Sequence, residues 1–322
     1  MSDSIKRASE SGVEATYAEV RAKLPPAEAP DGPLEALAPG LRAVALRTPT
    51  LPPAAQTTCY LVGPQTGPGE LVAIDPGSPY AEQQAHFDDL LTREAAEGRR
   101  LAAVVLTHHH ADHVGGAAHL QRRWGVPILA HPATLEALAP RVRVDAALEP
   151  GPALLGGVAV EVHHTPGHAP GHLCLQVASA KMTLVGDMVA GIGTILIDPD
   201  DGDMAAYLHS LELLEQRCAG ALLPAHGPVI VDGPAKLRAY RAHRLERERR
   251  ILAALLARPG STAEELLPVA YADTPAPFWP LARRSTLAHL AKLERDGLAA
   301  CDRSQRWSAA DPGPSSTDAL RV

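Results

Sequence analysis

The sequence predicts an α/β protein: one mixed-sheet body followed by a small helical domain at the C-terminus. Three observations predict it. Short apolar runs alternate with helix-length amphipathic stretches from Leu41 to about residue 235. Past Gly233 the strand-like runs stop and helix-length segments take over. The His and Asp side chains of the first part stand directly after apolar runs, where strands end and loops begin.

The elements follow in order. Residues 1–35 are polar, with Pro25, Pro26, Pro30 and Pro33 late in the segment, so a short helix and a lead-in are the most they support. Leu41 to Leu46, Cys59 to Val62 and Leu71 to Ile74 are strands set apart by Pro- and Gly-rich loops. Residues 81–97 are a helix, and Leu101 to Leu106 is a strand running straight into a histidine cluster. Further strands are expected at Pro127 to Ala130, Val158 to His163, Leu173 to Val177 and Thr183 to Val185, and a second helix at 203–216.

In the tail, Leu245, Ile251, Leu252, Leu255 and Leu256 give a helical stripe over 235–257. Ser261 with Glu264 reads as a capping box opening the next helix. A third helix covers 278–295, with Leu287, Leu290 and Leu293 on one side, and Leu298 to Trp307 forms a hairpin. Three helices and a hairpin suit a winged helix. The chain thus divides into a lead-in at 1–35, a body at 36–235, a winged-helix-like domain at 236–308 and a tail at 309–322.

Composition narrows the function. With 322 residues and 46% hydrophobic content the chain buries a sizeable core, which excludes a disulfide-stapled miniprotein and a wholly disordered chain. No apolar run reaches the roughly 18 residues of a spanning helix, and no secretory apolar stretch opens the sequence, so the cytoplasm is the expected location. Cys59, Cys174, Cys218 and Cys301 are widely spaced and form no C-x-x-C pair, so free thiols are expected.

The net charge of −7 argues against nucleic-acid binding over the whole surface. Residues 236–308, however, hold 14 Lys and Arg against 8 Asp and Glu. Arg244, Arg247, Arg249, Arg250, Arg283 and Arg284 there make a candidate phosphate footprint. Glu246 and Glu248 interleave with them, which suits helix-surface ion pairs equally well. Phe278, Trp279 and Trp307 are the only Phe or Trp available for base stacking in that tail.

The chemistry lies in Thr107-His108-His109-His110-Ala111-Asp112-His113. A sharp turn at a strand end lets His108 and His110 face one cation while Asp112 and His113 face another. Neutral imidazole suits Zn²⁺, and a carboxylate adds the charge that helps hold a second divalent ion. His168 in T-P-G-H, Asp187 in G-D and His226 in P-A-H-G each follow a short apolar run and complete a ligand set. Loops gathered at one sheet edge would assemble such a site.

The series H-x-H-x-D-H, T-P-G-H, G-D and a late H-G resembles the ligand pattern of the metallo-β-lactamase superfamily over residues 36–235. The resemblance implies an αβ/βα sandwich with a two-metal site on its loop edge. It implies that His108, His110 and His168 hold one metal, that Asp112, His113 and His226 hold the other, and that Asp187 bridges them. Asp75, in Ile74-Asp75-Pro76-Gly77, and His172 would orient ligands rather than bind metal. Thr58-Cys59-Tyr60-Leu61-Val62-Gly63, Ile197-Asp198-Pro199 with Gly202-Asp203-Met204, and the tail resemble the β-lactamase-like protein 2 group. That group carries a winged-helix-like domain, and its animal members are single-strand RNA endonucleases. Thr58 stands where the group usually has Asn, and Ala225 where it usually has Gly.

The expected activity is therefore metal-dependent hydrolysis by a hydroxide that two divalent ions generate at neutral pH, with Asp112 orienting the water or taking its proton. The cations are expected to be Zn²⁺, although Mn²⁺ and Fe suit the same donors. Phosphodiester cleavage of single-stranded RNA, with nucleic acid contacted through 236–308, is the first expectation. Hydrolysis of a small acyl thioester, as by a glyoxalase-II-like enzyme, is the second, and a winged-helix regulator with a vestigial site is the third. A true β-lactamase is disfavoured because a bridging carboxylate resembles the glyoxalase and nuclease members; a dioxygenase stays open. No membrane partner is expected.

Overall fold

The protein is described by a computed structural model over residues 15–23, 32–139 and 141–310. Residues 15–23 form a helix (α1); the rest of the lead-in, at 1–14 and 24–31, and the tail from 311 lie outside the described residues.

Two sheets make the body. The first runs β1 (Glu35–Ala38), β2 (Leu41–Arg47), β3 (Gln56–Val62), β4 (Gly69–Ile74), β5 (Arg99–Leu106), β6 (Ile128–Ala130) and β7 (Ala146–Ala147), side by side in chain order. It is antiparallel up to β4 and parallel from there on. The switch follows from connection length, since parallel neighbours need a crossover. That crossover is α2 (Ala81–Ala96) between β4 and β5; α3 (Ala111–Val114) and α4 (Ala117–Trp124) lead to β6, and α5 (Pro132–Leu138) precedes β7.

The second sheet holds β8 (Gly151–Leu155), β9 (Val158–His164), β10 (Leu173–Val177), β11 (Met182–Gly186) and β12 (Ala221–Pro224), in the order β12-β11-β10-β9-β8. Only β11 and β12 are parallel, joined through α6 (Met204–Arg217).

The sheets face each other across one apolar layer, and helices cover both outer faces. β5 shows why its sequence is a continuous apolar run rather than an alternating one. Val105 points into the layer between the sheets, while Val104 and Leu106 pack under α2, α4 and α5 with Phe87, Leu91, Leu120 and Leu138. A strand buried on both faces has no polar side to alternate with. On the far side Tyr207, Leu211 and Leu214 of α6 pack against the second sheet. This is the expected αβ/βα sandwich.

Behind it come α7 (Gly233–Ala257), α8 (Ala263–Ala270), α9 (Trp279–Arg295) and the hairpin of β13 (Ala299–Cys301) and β14 (Trp307–Ala309). Ile251, Leu255, Leu266, Leu290, Leu293 and Trp307 form their own core. The α7 helix belongs to both halves of the chain: Leu237 and Tyr240 pack into the body, whereas Ile251 and Leu255 pack into the small domain.

Two local expectations are corrected. Leu245 and Leu256 are not part of the buried α7 stripe; they are 43% and 63% exposed, and Arg244 and Arg247 take the buried positions on that helix instead. The capping box lies one residue later than expected: the Thr262 hydroxyl accepts from Glu265 N–H while Glu265 accepts from Thr262 N–H at 2.9 Å. Ser261 donates to Arg258 O instead. Cys59, Cys174 and Cys218 are buried free thiols, and Cys301 is a partly exposed one. Among the described residues no helix is long and apolar enough to cross a membrane.

The six arginines of the candidate footprint are all engaged within the chain. Arg244 donates to Ile195 O, Arg247 to Ala270 O and Asp273, and Arg249 and Arg250 to Glu246. Arg283 pairs with Glu264, and Arg284 is buried against Asp198 and Asp200.

Candidate metal centre

Every candidate ligand lies just beyond a strand at one edge of the sandwich. β5 delivers residues 108–113, β9 leads to His168, β11 ends at Asp187 and β12 at His226. The loops interlock backbone to backbone. A Cβ on Gly77 would stand 1.8 Å from Asp112 O, and one on Gly116 would stand 2.5 Å from Pro76 O, so glycine alone lets the Asp75 turn lie on the histidine loop. Gly186, at φ +46, leaves room for the His172 ring, whose Nε2 would be 2.6 Å from a Cβ there.

The donor atoms gather in two sets. His108, His110 and His168 present ring nitrogens within 4.8 Å of one another, and so do Asp112, His113 and His226 with a carboxylate oxygen. His108 Nε2 is 3.0 Å from His110 Nδ1. Asp187 stands between the sets and divides its oxygens. Oδ2 is 3.5 Å from His168 Nε2, while Oδ1 is 3.4 Å from both His113 Nε2 and His226 Nε2. Asp112 Oδ2 is 3.4 Å from His226 Nε2.

The opposite ring nitrogens are tied outward. His113 Nδ1 donates to Asp75 Oδ2 at 2.8 Å, His168 Nδ1 to Leu196 O at 2.9 Å and His226 Nδ1 to Gln56 O at 3.0 Å. His110 Nε2 donates to Asp201 Oδ2 at 2.6 Å. His108 Nδ1 donates to the Thr107 hydroxyl, which donates to Asp75 Oδ2. Each bond holds a proton on the outer nitrogen, so the inner nitrogen is the one that would turn to a metal once any proton of its own is displaced.

Asp75 is buried at φ +51, and its Oδ1 accepts from Thr107 N–H at 2.7 Å. His172 lies behind Asp187: its Nε2 accepts from Asp187 N–H at 3.1 Å, and its Nδ1 donates to the Thr165 hydroxyl at 2.9 Å. Thr58 N–H donates to Ala225 O at 2.8 Å, so the two departures from the group pattern are neighbours beside His226.

The protonation pattern is lopsided. Burial, helped by the His113 and His110 rings, holds His108 well below the ordinary imidazole range, and burial with His110 lowers His168 to about 4. Burial also lowers His172, which keeps its Nε2 free to accept. His110 is the exception in its set: burial would lower it, but Asp201 outweighs burial and raises it, and in the other set burial is outweighed throughout. Asp187, Asp75 and Asp112 raise His113 to about 10, and Asp187 and Asp112 lift His226 well above its usual value. Burial would raise the Asp187 and Asp112 carboxyls, but His226 and His113 bring both below the ordinary carboxylate range. Three buried atoms aimed into the cluster, His113 Nε2, His168 Nε2 and Asp187 Oδ1, have no hydrogen-bond partner among the described residues. Buried polar atoms seldom go unpaired. Divalent cations with imidazole and carboxylate donors fit them.

The nine candidate side chains thus converge on one cluster. The sequence reading missed Asp201 and Thr107. Asp201 also accepts from His109 Nε2 at 3.3 Å. Its acidic stretch, Asp198-Pro199-Asp200-Asp201-Gly202-Asp203, reads as a turn. Thr107 adjoins the histidines, but only the fold shows its hydroxyl linking His108 to Asp75.

Comparison with known proteins agrees with this architecture. The model of the metallo-beta-lactamase superfamily matches residues 52–226, and that of the beta-lactamase associated winged helix domain matches residues 262–307. The chain is 30% identical over 256 residues to the beta-lactamase-like protein 2 homolog of Drosophila melanogaster, covering 75% of this chain and 83% of that one. It is 31% identical over 203 residues to the atrochrysone carboxyl ACP thioesterase of Aspergillus chevalieri, covering 62% of this chain and 60% of the relative. The crystal structure of a beta-lactamase domain protein from Burkholderia ambifaria matches with TM-score 0.75 at 21% identity, over 86% of this chain and 93% of that one.

Proposed function

The chain belongs to the metallo-β-lactamase superfamily of hydrolases, and from that membership we propose that it cleaves an acyl thioester at a two-cation centre. The observation that carries the two-cation reading is the divided carboxylate of Asp187, one oxygen toward His168 and the other toward His113 and His226. Five imidazoles and two carboxylates suit Zn²⁺.

A divalent pair, when bound, lowers the pKa of water toward neutrality and polarises the scissile carbonyl oxygen. The chain's own residues do the rest. His108, His110 and His168 would hold one cation and Asp112, His113 and His226 the other, with the Asp187 carboxylate between the two sets. Asp112 is the more exposed of the two carboxylates, 18% against 10% for Asp187. Its carboxylate orients the attacking water and takes its proton. Attack on the carbonyl carbon then breaks the C–S bond, giving a carboxylate and a thiol.

Two observations favour a thioester. Three of the arginines that supported a phosphate footprint, Arg244, Arg247 and Arg284, are buried on partners inside the chain, and the other three pair with surface carboxylates. The loops after Asp187 and His226 pack on one another, with Gly191 N–H donating to His226 O at 2.8 Å, and carry Ile192 and Val229 at 64% and 40% exposure. An apolar lip beside the centre suits an acyl chain. The relative from Aspergillus chevalieri is named a thioesterase.

The test sets acyl thioesters, a single-stranded RNA and a lactam side by side with the Zn²⁺-loaded protein. Thiol release at least tenfold above the other two rates is expected, lost in Asp187→Ala and His110→Ala together with bound Zn²⁺. RNA cleavage with no thiol release would move the assignment to a phosphodiesterase. Full turnover and full Zn²⁺ in both variants would remove the site itself.

A further inference from the structure

Two ligands of the first cation position, His110 and His168, are oriented by a different part of the molecule from the ligands of the second. His113 is tied to Asp75, just past the end of β4, and His226 to Gln56 O of β3, while His108 reaches the same Asp75 through the Thr107 hydroxyl. His168 and His110 are tied to Leu196 O and Asp201, both in the segment that follows Asp187. That segment, residues 188–203, contains no helix or strand of its own.

Residues of α7 and α9 fasten it. The Tyr240 hydroxyl accepts from Ala190 N–H at 2.9 Å and donates to Gly193 O at 2.8 Å. Arg244, buried, donates to Ile195 O, the neighbour of Leu196. Arg284 of α9, 7% exposed, grips Asp198 through both Nε and Nη2, with Nη2 at 2.6 Å, and also reaches Asp200, the neighbour of Asp201. Arg295 holds Asp203 at 2.5 and 3.0 Å. The Asp198 backbone closes the turn by accepting from Gly202 N–H at 2.6 Å. A buried, two-pronged guanidinium–carboxylate pair fixes geometry as well as charge.

The structure assigns to these helices, and to Arg284 in particular, a positioning role: through residues 188–203 they set the donor geometry at His110 and His168, while His108, linked through Thr107 to Asp75, is anchored on the first-sheet side with His113 and His226. This rests on the two-cation reading above. A purely structural staple between the two halves would weaken the fold without distinguishing the two positions.

The test uses the full chain with Zn²⁺ alone, its affinity read by chelator competition. Two single-position backgrounds separate the sites: His226→Ala leaves the first set intact, and His110→Ala the second. Into each goes the pair Asp198→Asn with Arg284→Met, which removes both charges and leaves neither buried alone. In the His226→Ala background Zn²⁺ affinity should fall about 10–100-fold, the range for lost outer partners of metal ligands. In the His110→Ala background it should stay within about threefold. Equal losses in both backgrounds, or none in either, overturn the assignment. If the paired variant does not fold, Arg284→Lys, which keeps the charge but not the fork, is read by the same ratio. Parent protein that holds fewer than two Zn²⁺ would instead overturn the two-cation reading.

Discussion

Replacing Asp75 by Asn changes one atom and should disable His113 as a ligand. Asp75 accepts three hydrogen bonds, from Thr107 N–H at 2.7 Å, the Thr107 hydroxyl at 2.5 Å and His113 Nδ1 at 2.8 Å. Asn tolerates the left-handed φ of +51 as well as Asp does, so the backbone has no reason to move. Its amide oxygen can satisfy Thr107 N–H, which leaves the NH₂ group facing the Thr107 hydroxyl and His113. Against a donor, His113 must accept at Nδ1 and carry its proton on Nε2, the atom that points at Asp187 and His226. A lost hydrogen bond to a charged group is worth about 1.5–3 kcal/mol. At about 1.4 kcal/mol per decade that is roughly a 10–100-fold loss of metal affinity, the range seen when outer partners of metal ligands are removed. The assay is Zn²⁺ binding by chelator competition on Asp75→Asn, with circular dichroism as the control for folding. A folded variant that binds within about threefold of the parent would refute the tautomer argument.

Three more predictions concern Gly186, the two raised histidines and a separate buried carboxylate, Glu94. Gly186→Ala forces a Cβ to 2.6 Å from His172 Nε2 at φ +46, so at least about 1–2 kcal/mol should be lost, read as a melting-temperature drop of at least about 2–4 °C. Zn²⁺ uptake at pH 7 must displace protons from His113, held at about 10, and from His226, so affinity should rise with pH and protons should be released; calorimetry in two buffers of different ionisation enthalpy should give different apparent heats, and identical heats would contradict the pattern. Glu94 is buried beside Arg99 and Arg42; burial raises its carboxyl, but the two guanidiniums bring it below the ordinary value. A lowered folded-state pKa contributes stability above the unfolded value of about 4.3, lost as pH falls through the folded one. Glu94→Gln should therefore flatten the pH dependence of the urea midpoint below about pH 4.3; an unchanged slope would contradict it.

The body of the fold was legible because its strands are buried on both faces and its ligands stand where apolar runs stop. Edge strands were not. β1, β7 and β8 are short and largely exposed, and β8 opens on Gly151-Pro152, so no apolar run marks them. The α7 stripe is legible at Ile251 and Leu255 but not at Leu245 and Leu256, because the helix packs into two cores and buries the guanidiniums of Arg244 and Arg247 against backbone carbonyls. The seven candidate ligands could be named from spacing and resemblance. Asp201 and Arg284 could not, because one finds its histidine 91 residues away and the other its aspartate 86 residues away, and no local pattern records such a contact.

The glycine seams at Gly77 and Gly116 have a consequence for the cations. With no side chain between them, the Asp75 turn and the histidine loop pack backbone to backbone, joined by Gly116 N–H to Pro76 O at 2.7 Å and tied to β5 by Asp75 N–H to Val105 O at 3.0 Å. The body's core is built from apolar side chains of two sheets and their helices rather than around the ligands, in contrast to a zinc finger, whose fold depends on its metal. Chelation should silence this protein and leave it standing, ready to be recharged with a different ion.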